Sequence, residues 1–170
     1  MNQPDDAIRN SIRCALALLP HPMDSPEARV MLIAIGLQES RFLHRRQLVG
    51  NPPRPTGPAK GLLQFERLGG CKGVVNHPAS RYWMHRVCVT QDVVFNATAI
   101  WNALETNDVL AFAAGRLLLF TDPKRLPATT DTRGARNLYI RTWRPGKFHP
   151  ETWDEFHARA QQVVQAWGSE

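Results

Sequence analysis

Residues 28–42 read Ala28-Arg29-Val30-Met31-Leu32-Ile33-Ala34-Ile35-Gly36-Leu37-Gln38-Glu39-Ser40-Arg41-Phe42. From Val30 to Leu37 the run is apolar on every side, so a helix formed there is enclosed by its neighbours rather than laid on a surface. Ser25 is a good N-cap for it, with Pro26 at the first helical position and Glu27 after it. Such a helix delivers Glu39 to the C-terminal end of the most buried segment of the chain. Two effects act there in one direction: apolar surroundings disfavour a charged carboxylate, and so does the negative end of the helix dipole. Both raise the pKa, and a carboxylic acid that keeps its proton near neutral pH can donate it to a leaving-group oxygen. The plainer alternative is a solvated helix-end residue.

Outward from this segment the apolar spacing stays mostly helical. Ile8, Ile12, Ala15, Leu16 and Leu19 mark a first helix, behind Pro4, Asp5 and Asp6, and Pro20 and Pro22 break the chain after it. Residues 41–60 carry Arg41, His44, Arg45, Arg46 and the prolines Pro52, Pro53, Pro55 and Pro58, which reads as a basic loop with at most a short extended piece. Gly61-Leu62-Leu63-Gln64-Phe65 follows, then a Gly69-Gly70 turn. A helix is expected over 79–88. Another is expected from a Thr90 cap, with Val93, Ala97, Ile100 and Leu104 on one face. A third follows an Asn107 cap, with Leu110, Ala114, Leu117 and Leu118 inward. Residues 121–133 read as an exposed loop, and a helix around 134–143 ends at Arg144-Pro145-Gly146. The last helix opens near Pro150, with Trp153, Phe156, Ala160, Val163, Val164 and Trp167 at helical spacing. The expected fold class is mainly α (α+β), one domain over residues 1–170, with a small β element near 41–65.

Composition bounds the function. A chain of 170 residues suits one domain, and 43% hydrophobic with 21% charged residues argues against wholesale disorder. No apolar run reaches the roughly 18 residues a membrane-spanning helix needs, so no integral membrane segment is expected. Twenty-one Lys+Arg against fifteen Asp+Glu give a net charge of +6, which attracts nucleic acid, anionic lipid or another anionic polymer. Only Lys60, Lys72, Lys124 and Lys147 are Lys; the dominance of Arg suits bidentate anion contacts, or reflects codon usage. Cys14, Cys71 and Cys88 allow at most one bridge and a spare thiol, which reads as synthesis in a reducing cytoplasm. Asp5 and Asp6 stand where a secretory signal carries positive charge, and the apolar stretch 14–19 is short, so no such signal is expected.

Four motifs occur in order. Glu39-Ser40-Arg41-Phe42 is followed by Gly61-Leu62-Leu63-Gln64-Phe65, then by Ala111-Phe112-Ala113-Ala114-Gly115, then by Tyr139-Ile140. In order and approximate spacing these resemble the lysozyme-like lytic transglycosylase family, whose pattern is Glu-Ser-x-Phe, Gly-Leu-Met-Gln, Ala-Tyr-Asn-x-Gly and Tyr-Val. The resemblance spans about residues 28–142. It implies a bilobed, mainly helical fold with a sugar-binding cleft, and cleavage of the β-1,4 bond between N-acetylmuramic acid and N-acetylglucosamine. It assigns the single catalytic acid/base to Glu39. Ser40 would support that carboxyl or the substrate, Gln64 and Phe65 would line the cleft, Phe112 takes the place of the family's aromatic, and Tyr139 would approach the acid. The sequence departs from the pattern at Phe112 and Ala113, which lack the phenol and the amide, and at Leu63, which replaces Met.

The family's single-carboxylate chemistry implies attack by the muramic 6-hydroxyl and a 1,6-anhydro product. Hydrolysis instead needs a second carboxylate about 5–9.5 Å from the acid. Glu66 is the best candidate for it, or is a solvated residue. A basic wall-degrading enzyme of this kind resembles a phage endolysin: made in the host cytoplasm, acting on the wall after membrane permeabilisation, a monomer, with peptidoglycan strands as partner and no cofactor. A non-catalytic wall-binding or nucleic-acid-binding protein is the competing class, although the basic residues form no single stripe and no nucleic-acid partner is expected. Cys71, His77, His85 and Cys88 match no compact zinc module, so no metal is expected. Trp83 and Trp143 are open as sugar-stacking residues, and Arg141–Lys147 is either a basic aromatic grip on an anionic glycan or a solvated helix exit.

Overall fold

The computed structural model describes residues 6–146 and 148–167. Helix α1 (Asp6–Ala17) leads through a short 3-10 turn, His21–Met23, into α2 (Pro26–Ser40). Ser25 caps α2 as its sequence implies, its Oγ accepting from the Ala28 N–H at 3.2 Å. Every residue from Val30 to Leu37 is buried. Then come β1 (Arg46–Val49), β2 (Arg54–Lys60) and β3 (Phe65–Glu66), a three-stranded antiparallel sheet in that order. One π-type turn, Arg67–Cys71, runs into α3 (Lys72–Asn76). Helices α4 (Arg81–Thr90), α5 (Ala97–Ala103), α6 (Asp108–Phe120), α7 (Thr132–Trp143) and α8 (Pro150–Trp167) complete the chain.

The fold is thus mainly helical with a small sheet, and α2 lies within it. Helix α8 packs along α2, and α1 packs along α6. Their inward residues join Leu62, Leu63 and Phe65 in one continuous apolar cluster that includes Trp153 and Trp167. Among the described residues no helix is long and apolar enough to cross a membrane. All three cysteines are free, Cys71 and Cys88 buried and Cys14 exposed.

The sheet is the small β element expected near 41–65, and the proline-rich stretch within it carries strand β2. Only its end pairs on both sides: Arg54 and Pro55 face Val49 and Leu48, whereas β3 reaches just Ala59 and Lys60. Proline lacks an N–H, and a strand with one open edge tolerates it. Thr90 caps no helix; it ends α4, and its Oγ1 donates to the Arg86 carbonyl at 3.1 Å. The cap of α5 is Asn96, whose Oδ1 accepts from Ala99 N–H at 2.8 Å, because Asp92 turns the chain with φ 51° and leaves Val93 outside the helix. Helix α7 begins slightly earlier than its apolar spacing suggests, capped by Asp131, which accepts from the Gly134 N–H at 2.8 Å.

Candidate active site

The end of α2 is built to present Glu39. Arg41 and Phe42 both adopt left-handed backbone, with φ 53° and 57°. The Arg41 N–H donates to the Leu37 carbonyl at 3.1 Å, closing the last turn. This reversal lays the Phe42 ring against Gly36, where any Cβ would overlap the ring. Ser40 Oγ then makes the decisive link. It gives its one proton to the Leu62 carbonyl at 2.7 Å, nearer than the Gly36 carbonyl at 3.2 Å, and accepts from the Phe42 N–H at 3.1 Å. The helix end is thereby fastened to the 61–64 turn.

That turn has its own constraints. Gly61 has φ 75°, donates its N–H to the Arg45 carbonyl at 2.8 Å, and would carry a Cβ 2.6 Å from the Leu104 oxygen. Only glycine meets both demands. The Gln64 N–H closes the turn on the Gly61 carbonyl at 3.0 Å, and Trp143 Nε1 donates to the Leu63 carbonyl at 3.0 Å. Leu62 and Leu63 are buried, and Gln64, half-buried, lines the same groove as Glu39.

Glu39 and Gln64 lie in a groove of about 1450 Å³. The α7 exit from Tyr139 to Gly146 lines it too, as do Glu66 and Lys72. Pockets for single drug-sized ligands measure about 300–1,000 Å³, so this groove has room for a larger ligand. The Tyr139 hydroxyl donates to Glu39 Oε1 at 2.6 Å. No hydrogen bond from the described residues reaches the other carboxyl oxygen. Burial raises the Glu39 pKa to about 7, the Tyr139 hydrogen bond acts against that rise, and the charge of Glu66 adds to it. Desolvation therefore outweighs the hydrogen bond. Tyr139 is 2% exposed, its ring stacked on Trp153 at 4.9 Å and flanked by Trp143 and Phe148. Burial and the adjacent carboxylate push its own pKa well up, which keeps it a proton donor.

The other expected site residues divide. Gln64 lines the groove, its Nε2 held by the Gly61 carbonyl at 2.9 Å. Phe65 contributes to the groove wall but is 2% exposed, with its ring edge-on to Trp143 at 5.5 Å. Ser40 is buried, supports the helix end and does not line the groove. Phe112 requires correction as a substrate-binding residue. It is 0% exposed, turned into the core with its ring 6.5 Å from Phe42, because α6 is apolar on nearly every side and buried from Leu110 to Leu119. What its motif contributes is Gly115, where a Cβ would overlap Leu63 Cδ1; the glycine lets α6 approach the turn.

Trp143 lines the groove half-buried, while Trp83 packs edge-on to Tyr82 at 4.9 Å, away from the groove. His77 Nδ1 accepts from the Ala79 N–H at 3.2 Å and His85 packs on Phe95 at 5.1 Å. Among the described residues no three His, Cys, Asp or Glu side chains group as metal ligands. Of the basic aromatic stretch, Arg141, Trp143 and Arg144 line the groove, and Lys147 lies outside the described residues. Sequence reasoning missed Gln38 and His149, which also line it; Gln38 Nε2 donates to the His149 carbonyl at 3.2 Å, tying α2 to the start of α8. Adjacency to Glu39 was the available signal for Gln38, and none marked His149. No family model, curated protein or solved structure matches the chain.

Proposed function

We propose that this protein is a lysozyme-like, peptidoglycan-cleaving enzyme that breaks the bond between N-acetylmuramic acid and N-acetylglucosamine with one glutamic acid, Glu39. The observation that carries the reading is the Glu39 carboxyl itself: raised to about 7 by burial, held at Oε1 by Tyr139, and lining a groove of about 1450 Å³. The order of the Glu-Ser-x-Phe, Gly-Leu-Leu-Gln and Tyr-Ile motifs supports it as well.

The chemistry needs a single residue in two protonation states. Tyr139 donates to Oε1, so the carboxyl proton resides on Oε2. That proton passes to the glycosidic oxygen as the C1–O bond breaks and the N-acetylglucosamine-side fragment leaves. Glu39, now a carboxylate, takes the proton of the muramic 6-hydroxyl as that oxygen bonds to C1. The product is a 1,6-anhydro ring, the acid is restored, and no water is consumed. Tyr139 serves both states, since its hydroxyl stays hydrogen-bonded to Oε1 throughout. The net charge of +6 favours adsorption to an anionic envelope, as in a released endolysin-type enzyme.

One observation favours a second reading, hydrolysis. Glu66 lines the same groove, and its charge is felt at Glu39. Mass spectrometry of digested peptidoglycan separates the two, because anhydro and reducing-end products differ by one water. The test of the shared reading is turbidity clearing of purified walls by the parent and by Glu39→Gln. Clearing by the parent alone is expected; equal clearing by both removes Glu39 as the acid.

A further inference from the structure

We propose that Arg141 and Arg144 form an oxyanion-reading subsite on the α7 wall of the groove, selecting glycan strands that carry anionic substituents. The inference rests on the glycan-cleaving reading and specifies its substrate. Arg141 is held along one edge. Its Nε donates to Asp122 Oδ2 at 2.9 Å, and that carboxylate, 10% exposed, also accepts from the Lys124 N–H at 3.1 Å. The Arg141 hydrogen bond keeps Asp122 below the usual carboxylate range, so the pair stays charged. The Arg141 side chain is 44% exposed, and among the described residues its guanidinium makes no other hydrogen bond. A guanidinium fixed through Nε still offers its terminal N–H groups as a planar fork, which matches two oxygens of a carboxylate or phosphate.

Arg144 supplies the independent observation. It ends α7 in left-handed backbone, φ 49° and ψ 54°, with its N–H on the Ile140 carbonyl at 3.1 Å. Glycine is the usual residue there, and a side chain costs about 1–2 kcal/mol. Gln64, in the same groove as the acid, is the other groove-lining non-glycine residue with positive φ, at 49°. At Arg144 the surrounding structure holds this strained backbone and keeps a cationic side chain in the groove lining. The Arg144 guanidinium has no acidic partner among the described residues; its Nε lies 3.4 Å from the Arg141 carbonyl. Two guanidiniums against the single carboxylate of Asp122 leave this wall positive, while the acid itself meets the substrate protonated and neutral. A polymer that threads past both is best served by neutral sugar at the acid and an oxyanion at the arginines.

Two wall components carry such oxyanions: the carboxylates of stem peptides and the phosphates of attached polymers. The experiment compares three substrates from one preparation: sacculi stripped of phosphate polymers, the same sacculi after amidase removal of the stems and capping of the newly freed muramic lactyl carboxyls as neutral amides, and sacculi retaining phosphate polymers but freed of stems and capped in the same way. Arg144→Gln and Arg141→Gln are expected to raise KM about tenfold wherever an anion is present and less than about twofold on bare strands, with kcat kept. Dependence on the first substrate assigns the anion to stem carboxylates, and dependence on the third assigns it to phosphate. Arg144→Gly is expected to melt above the parent yet lose the same anion-dependent affinity, which a purely structural arginine would not do. Equal losses on all three substrates, or no loss on any, overturn the proposal. Sedimentation of the proteins with the three substrates gives the same comparison without turnover, so a fully active Glu39→Gln would remove the catalytic reading and leave the subsite judged on binding alone.

Discussion

Glu39→Gln tests the electrostatics of the site through stability, without substrate. Burial raises this carboxyl from 4.5 to about 7 in the folded chain. At about 1.4 kcal/mol per pH unit, holding it charged costs the native state about 3 kcal/mol. The folded pKa lies above the unfolded one, so the stabilising contribution is fully present below pH 4.5 and lost as pH rises through about 7. Glutamine keeps an acceptor for Tyr139 and cannot ionise. The variant and parent should therefore unfold alike at pH 4.5, whereas at pH 8.5 the variant should be more stable by about 3 kcal/mol. For a chain of this size that is a melting shift of about 6–12 °C. Urea unfolding of both proteins at pH 4.5, 6, 7 and 8.5 measures the difference directly. Parallel pH dependences would refute the argument, because they would mean that Glu39 ionises in the native groove as freely as in water.

Tyr139→Phe removes the bond that opposes the rise, so the alkaline limb of kcat/KM should move above about pH 7, with kcat reduced about tenfold; a pH–rate profile reads both. Glu66→Gln removes a charge that raises the Glu39 pKa, so the same limb should move down while the product stays anhydro; loss of all activity would instead make Glu66 the second carboxylate. Ser40→Ala strips the Leu62 carbonyl of its buried donor and should cost about 1–3 kcal/mol in urea unfolding, with activity falling alongside.

The parts of the site that were legible in the sequence are those set by local chemistry. An apolar run with Ser25 and Pro26 before it has one stable outcome, a buried capped helix, and Glu39 follows from its length. Asn107 likewise caps α6, accepting from the Leu110 N–H at 2.9 Å. What stayed hidden depends on partners distant in the chain. Strand β2 forms by pairing with β1 while most of its other edge stays open, and neither that partner nor that register can be read from its prolines. Tyr139 meets Glu39 across 100 residues of sequence, a contact that motif order suggested and spacing could not. Phe112 shows motif order misleading: the apolar residues around it required burial, and the family pattern pointed to the cleft. Arg144 escaped because left-handed helix ends are recognised by glycine, and here the residue is arginine.

The turn that carries Gln64 owes its place to donors outside itself, Ser40 for one carbonyl and Trp143 for the next. Transplanting residues 61–65 into another scaffold would strand both acceptors, so the smallest portable unit is discontinuous: a helix terminus, a turn and an indole from three regions of the chain. The hairpin tip at 50–53 is fully exposed and outside the groove lining, which makes it the natural splice point for a reporter or targeting peptide.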